Sequence, residues 1–172
     1  GGAGGPDLEP VAAHLRIDAE EFIRLHTGTI YRVYMIGFMP GYPYMGELPA
    51  ALAMPRRRTP RTRVPKGSVG IAQRQTGIYP VDSPGGWQII GRTPARLFDP
   101  ERTPASRLVP GARVRFVPVT AAEFDARARE DAYLELFESQ RVQGMLVSSH
   151  HPIDDRIAQV RGRGIPSVLI FE

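Results

Sequence analysis

From Gly37 to Arg92 the chain reads GFMPGYPYMGELPAALAMPRRRTPRTRVPKGSVGIAQRQTGIYPVDSPGGWQIIGR, and proline or glycine interrupts every apolar run within it. Proline lacks a backbone donor and fixes φ, while glycine admits φ > 0 where a chain turns sharply. A long helix is therefore excluded. The remaining pattern predicts brief strands at Ser68–Ala72, Ile78–Val81 and Trp87–Ile90, joined by shaped loops. Loops on a rigid β scaffold are where binding groups concentrate. The polar side chains in or beside them are Tyr44, Arg61, Arg63, Gln75, Thr76, Tyr79 and Ser83.

Upstream, residues 6–27 predict two short helices. Pro6 and Asp7 open the first, and acidic residues near its N-terminus suit the helix dipole. Asp18 caps the second, with Glu21 in the capping-box position. His14 and His26 are expected as ordinary surface or helix-end histidines. IYRVYMI (30–36) predicts a strand with one partly polar face. Further strands are expected at 95–98 and 113–119, the latter after a Pro110-Gly111 turn. Many short strands with scarcely any helix between them indicate an antiparallel barrel or sandwich.

Thirteen of the seventeen prolines lie between Pro40 and Pro118, and beyond them the grammar becomes helical. Thr120 and Glu123 form a second capping-box pattern. An apolar strand (GMLVSS), a helix (DDRIAQVRGRG) and a strand (PSVLIF) then give the βαβ pattern of a parallel pair. The expected division is thus a β domain over 1–120 and an α/β appendage over 121–172. His150, His151, Asp154 and Asp155 stand together in that appendage. Asp154 reads as a helix cap, and no metal site is expected.

The chain has no cysteine, which excludes disulfides, thiolate metal sites and cysteine nucleophiles. That fits a cytoplasmic protein. No apolar run approaches the roughly 20 residues of a membrane helix, and no signal peptide is visible. An initiator methionine is absent, so the chain is expected to be a piece of a longer protein. Net charge is +4, but one lysine (Lys66) stands among 22 basic residues. The basic run 55–66 alternates arginine with proline and threonine and lacks aromatic stacking partners, so nucleic acid is not an expected partner.

The segments GFMPGYPYMGELP, PRRRTPRTRVPKGSVGIA, QTGIYPVDSPGGWQIIGRTP and LFDP resemble the C-terminal domain of one family. It comprises the B subunit of 5-oxoprolinase, also described as allophanate hydrolase subunit 1 or the sporulation kinase inhibitor KipI. The same module forms the first half of the carboxyltransferase domain of urea carboxylase. The resemblance covers about Gly4 to Thr120 and implies a cyclophilin-like antiparallel β-barrel. It also implies a small α/β domain upstream and a second subunit of similar fold. The appendage departs from the family and looks more like a periplasmic-binding-protein-type regulator domain.

The activity so implied is ATP-dependent opening of the 5-oxoproline lactam to glutamate, with ATP held together with the partner subunit and none bound by this chain alone. A histidine-kinase-inhibiting module and a urea-carboxylase-type carboxyltransferase half are the alternatives. Arg61 and Arg63 offer planar forks for an anion. Gln75, Thr76 and Tyr79 offer amide and hydroxyl groups, and Ser83 with the SPGG turn offers backbone donors. Phe38, Tyr42 and Tyr44 are placed to wall a pocket, and Trp87 is expected in the core. Asp82 and Asp99 adjoin turn prolines and read as turn caps or as an acid and base. No nucleotide-binding P-loop, serine elbow or biotin-attachment pair occurs, so no catalytic set is self-contained.

Overall fold

Helices α1 (Leu8–Leu15) and α2 (Ala19–Thr27) precede eight short strands. These are β1 (Ile30–Ile36), β2 (Pro43–Gly46), β3 (Arg61–Val64), β4 (Ser68–Ala72), β5 (Gln75–Ile78), β6 (Ser83–Gly85), β7 (Gln88–Arg92) and β8 (Arg113–Arg115). Two more, β9 (Met145–Ser148) and β10 (Ser167–Ile170), follow. The structure is a computed structural model, and it describes residues 2–129 and the backbone of 145–148 and 167–170. The chain divides into two compact units, Gly1–Asp125 and Ala126–Glu172.

In the first unit one six-stranded sheet runs in the order β7-β4-β5-β2-β1-β8, with every neighbouring pair antiparallel. β3 and β6 form a separate antiparallel pair. In the second unit β9 and β10 pair in parallel, from Ser167 opposite Met145 to Ile170 opposite Ser148. The mainly antiparallel β reading is therefore borne out, and so is the parallel pairing of the last two strands. The helix expected between those strands, and the His150, His151, Asp154 and Asp155 group, lie outside the described residues. No helix among the described residues is long and apolar enough to cross a membrane.

Strand boundaries differ in instructive ways. β1 matches its apolar run. β5 begins three residues earlier than expected, because Gln75 and Thr76 pair with Ala72 and Ile71 across a two-residue turn. Residues 95–98 form no strand; only Phe98 bridges to Ser106. β8 stops at Arg115, and Pro118, which lacks a donor, stands just beyond it. β2, β3 and β6 contain or adjoin prolines, and the residue pattern does not predict them. All three are short, and β3 and β6 pair only with each other, outside the main sheet.

The main sheet buries both faces. On one, Val69, Ile71, Ile78, Met45, Tyr31, Val33 and Ile90 pack against Leu8, Val11 and Phe22 of the helices. On the other, Tyr42, Tyr79, Trp87, Val64, Ala72 and Ile89 form a second cluster, with Met39 and Tyr44 at its margin. Alternation along β7 sends Ile89 to the second cluster and Ile90 to the first, as period-two geometry requires.

His26 belongs to the first face, not to the surface. It is buried, with ring centroids of Tyr31 and Phe116 at 5.2 and 4.7 Å. Its Nε2 lies 3.2 Å from Thr76 Oγ1, whose proton goes to the Gly70 carbonyl. The hydroxyl then accepts from His26, which places a proton on Nε2. Burial pushes the imidazole pKa down to about 4. Beside it, the Tyr31 hydroxyl donates to the His26 carbonyl and is pushed up to about 12 by burial.

Asp7 joins the helical and β parts. Its side chain does not cap α1. It accepts instead from Arg57 at 3.0 Å, from both terminal nitrogens of Arg61 at 2.9 and 2.7 Å, and from the Ile89 backbone N–H at 2.6 Å. Its own N–H donates to the Ile89 carbonyl. At 5% exposure the carboxylate is paired on all sides.

Both buried groups can be probed by unfolding. Asp7→Ala leaves two guanidinium groups without their acceptor and should lower unfolding free energy by about 3–5 kcal/mol in urea titrations. For His26, the folded pKa lies below the unfolded value, so the unfolded chain binds the extra proton. Stability contributed by the neutral imidazole is complete above about pH 6.5 and is lost as pH falls toward 4. Between pH 7 and pH 5 the loss should be about 2 kcal/mol, and His26→Gln should flatten the pH profile by that amount.

Candidate functional site

Three of the candidate residues, Tyr44, Gln75 and Tyr79, lie on the second face of the sheet. Tyr42 sits at its centre, with ring centroids of Tyr44 at 4.9 Å, Tyr79 at 5.2 Å, Phe38 at 5.7 Å and Trp87 at 5.8 Å. Such a tight layer needs strands without side chains beneath it. A Cβ on Gly77 would stand 2.6 Å from the Tyr42 hydroxyl, and one on Gly85 would collide with that of Tyr79. Glycine at these two positions lets the rings lie directly on the backbone.

Burial pushes both the Tyr42 and the Tyr79 hydroxyl pKa upward. For Tyr42 the neighbouring Tyr79 and Tyr44 add to the effect, and for Tyr79 a backbone hydrogen bond at Trp87 opposes it. The positive charge of Arg56 acts on both hydroxyls, and that of Arg61 on Tyr79. Three buried polar atoms lack a hydrogen-bond partner among the described residues: Tyr42 Oη, Ser83 Oγ and Arg57 Nε.

The residues singled out from sequence separate into groups. Tyr44 and Tyr79 belong to the aromatic layer, and Gln75 shares their side of the sheet by its pairing with Ala72. Trp87 is buried in the same layer, as expected. Arg61 borders it, yet its guanidinium is engaged by Asp7. Thr76 lies on the opposite face, sealed beneath α2 through His26. Arg63 is exposed and pairs with Asp82 at 2.6 Å.

The Lys66 backbone N–H and the Arg63 guanidinium hold the Asp82 carboxyl below its usual range. That makes Asp82 an acceptor and not a proton donor near neutrality. Asp99 accepts from the Glu101 N–H at 3.1 Å, the local geometry of a turn cap. Ser83 lies in strand β6 opposite Val64, so the SPGG segment is a paired strand and not an open donor-presenting turn.

Two residues carry no local signal of their role. Asp7 looks like a helix-start acid, and only tertiary placement sets it against Arg57 and Arg61. Arg56 is one of several arginines in a run. Among the described residues it has no carboxylate partner, which leaves its charge facing the tyrosine hydroxyls. Among the described residues no cluster of histidine, aspartate and glutamate could hold a metal.

Residues 1–108 match the family model described as carboxyltransferase domain, subdomain C and D. The chain belongs to this family. It is 54% identical over 118 residues to the B subunit of 5-oxoprolinase from Escherichia coli O157:H7, covering 69% of this chain and 54% of that protein. It is 47% identical over 130 residues to the B subunit of 5-oxoprolinase from Bacillus subtilis strain 168, covering 76% and 54%. The crystal structure of PH0987 from Pyrococcus horikoshii, described as a conserved uncharacterized protein, superposes with a TM-score of 0.70 at 48% identity. It covers 72% of this chain and 57% of that one. The chain thus spans about half the length of the curated relatives it matches.

In this carboxyltransferase-domain chain Phe38 adopts φ +67° and is 67% exposed. A left-handed backbone at an L-residue costs roughly 1–2 kcal/mol. The Phe38→Gly variant should therefore be more stable than Phe38→Ala by about 1 kcal/mol. Paired urea titrations check this, since glycine removes the backbone penalty and alanine keeps it.

Proposed function

We propose that this chain is part of the B subunit of an ATP-dependent 5-oxoprolinase, a hydrolase that opens the lactam of 5-oxoproline to glutamate. The observation that carries the reading is the 47% and 54% identity to proteins of that name in two organisms. The site chemistry agrees with it. The substrate is a flat five-membered amide ring bearing a carboxylate. The half-buried Tyr44 at the margin of the aromatic layer suits the ring by stacking, and an arginine beside it suits the carboxylate by a charge-assisted hydrogen bond.

Within this reading Arg56 binds the carboxylate, because Arg61 and Arg57 are already held by Asp7 and Arg63 by Asp82. Tyr44 and Gln75 address the ring and its amide edge, the buried Tyr79 backs them, and Phe38 closes over the layer from the Gly37–Tyr42 turn. Thr76 and Ser83 support the strands that present these groups. Ring opening adds water across the amide C–N bond, and ATP hydrolysis drives it. ATP is held with a second subunit of similar fold, which also completes the catalytic set. The reaction belongs in the cytoplasm, where ATP is available.

The test is release of phosphate from ATP by the protein combined with the remaining subunits. Release should depend on 5-oxoproline, and ATP turnover indifferent to it would overturn the reading. In that assay Arg56→Ala should raise KM for 5-oxoproline about tenfold or more, since a hydrogen bond to a charged group contributes about 1.5–3 kcal/mol. Its unfolding midpoint should stay close to the parent's, because Arg56 is exposed.

A further inference from the structure

The aromatic layer and the β3–β6 pair cover only part of the second sheet face. Toward β1 and β8 none of the described residues covers that face. Tyr31, Val33 and Val114 pack inward on the helical side. Their neighbours Ile30, Arg32, Arg113 and Arg115 point the other way and are exposed. Pairing sets Ile30 opposite Arg115 and Arg32 directly opposite Arg113. Like charges at directly opposed positions destabilise a ladder unless something lies between them. Among the described residues no carboxylate pairs with any of these three arginines. A hollow of about 290 Å³ opens there, lined by Ile30, Tyr31, Arg32, Gly111 and Arg113.

The apolar part of the face is equally unusual. A bulge between Val33 and Met35 breaks the alternation of β1. Tyr34 then lies over Gly46, opposite Arg32 across the ladder, and Met35 reaches toward Tyr44. Two consecutive side chains thus join the open side, and Ile30, Tyr34 and Met35 are each at least 50% exposed. Tyrosine, methionine and arginine around an apolar centre are the residues enriched at protein interfaces, and an exposed patch of this kind marks one.

We propose that this open face docks the second subunit, through a partner surface whose carboxylates enter the hollow between Arg32 and Arg113. The proposal rests on the two-subunit reading above and adds where the subunits meet. Charge complementarity selects the occupant. A second copy of this chain would bring six arginines together, whereas an acidic apolar surface neutralises three.

The experiment is titration calorimetry of the full protein with the second subunit at two salt concentrations. Arg32→Glu and Arg113→Glu should each weaken binding at least tenfold and reduce its salt dependence. Tyr34→Ala should weaken it without changing the salt dependence. Arg107→Glu, an exposed reversal elsewhere, should bind as the parent does, and circular dichroism should show all variants folded. Parent-like affinity in the Arg32 and Arg113 variants, with the complex still forming, overturns this docking face alone. Failure of the unmodified protein to bind overturns the two-subunit reading together with it. Self-association of the unmodified protein that Arg32→Glu abolishes assigns the face to a second copy and also overturns the proposal.

Discussion

A single buried carboxylate holds the parts of the first unit in register. Asp7 sits where α1 begins, receives Arg57 from the segment before β3 and Arg61 from the first position of β3, and exchanges backbone and side-chain bonds with Ile89 of β7. Desolvating a carboxylate is expensive unless every lone pair is met, and here four donors meet it. Both clusters depend on that junction, because β7 gives Ile90 to one and Ile89 to the other. Arg61 also shows how a residue can look like a ligand group and be occupied by architecture. Arg56, in the same run, has no carboxylate acceptor among the described residues.

Much of the fold was legible because period and punctuation are local properties. β1 and β4 follow apolar runs whose ends are marked by turn residues. Asp18 caps α2 through the Glu21 N–H, and Thr120 and Glu123 exchange the two bonds of a capping box. The Glu21 carboxylate, however, pairs with Arg24 and not with the cap residue. β3 and β6 were hidden because their pairing is non-local and each holds few residues between prolines. Propensity carries no information about a partner some twenty residues away.

What the sequence shows of the candidate residues is which of them are neighbours, not what each one does. Tyr44, Gln75 and Tyr79 share a side because their strands are adjacent and their spacing is even. Thr76, one residue from Gln75, must face the other way. A polar side chain on the helical side needs a polar partner, and His26 supplies it from α2. Sequence could pair neither, since fifty residues separate them. The expectation of a surface histidine failed for the same reason: nothing local indicates that α2 turns His26 toward the sheet. Asp7 and Arg56 belong with them, distinguished only by what tertiary structure places nearby.

The extra residue in β1 changes what the strand can display. A regular strand divides its side chains evenly between two environments, so a seven-residue segment with a packed side has few positions left for anything else. Lodging Tyr34 beside Met35 enlarges the outward allotment without loosening Val33 or Tyr31 from the packed one. Removing Tyr34 would restore strict alternation and leave every other side chain on its present side, at the cost of one outward position. The packed side therefore constrains the extra residue little, and what it adds is an aromatic ring on the outward side.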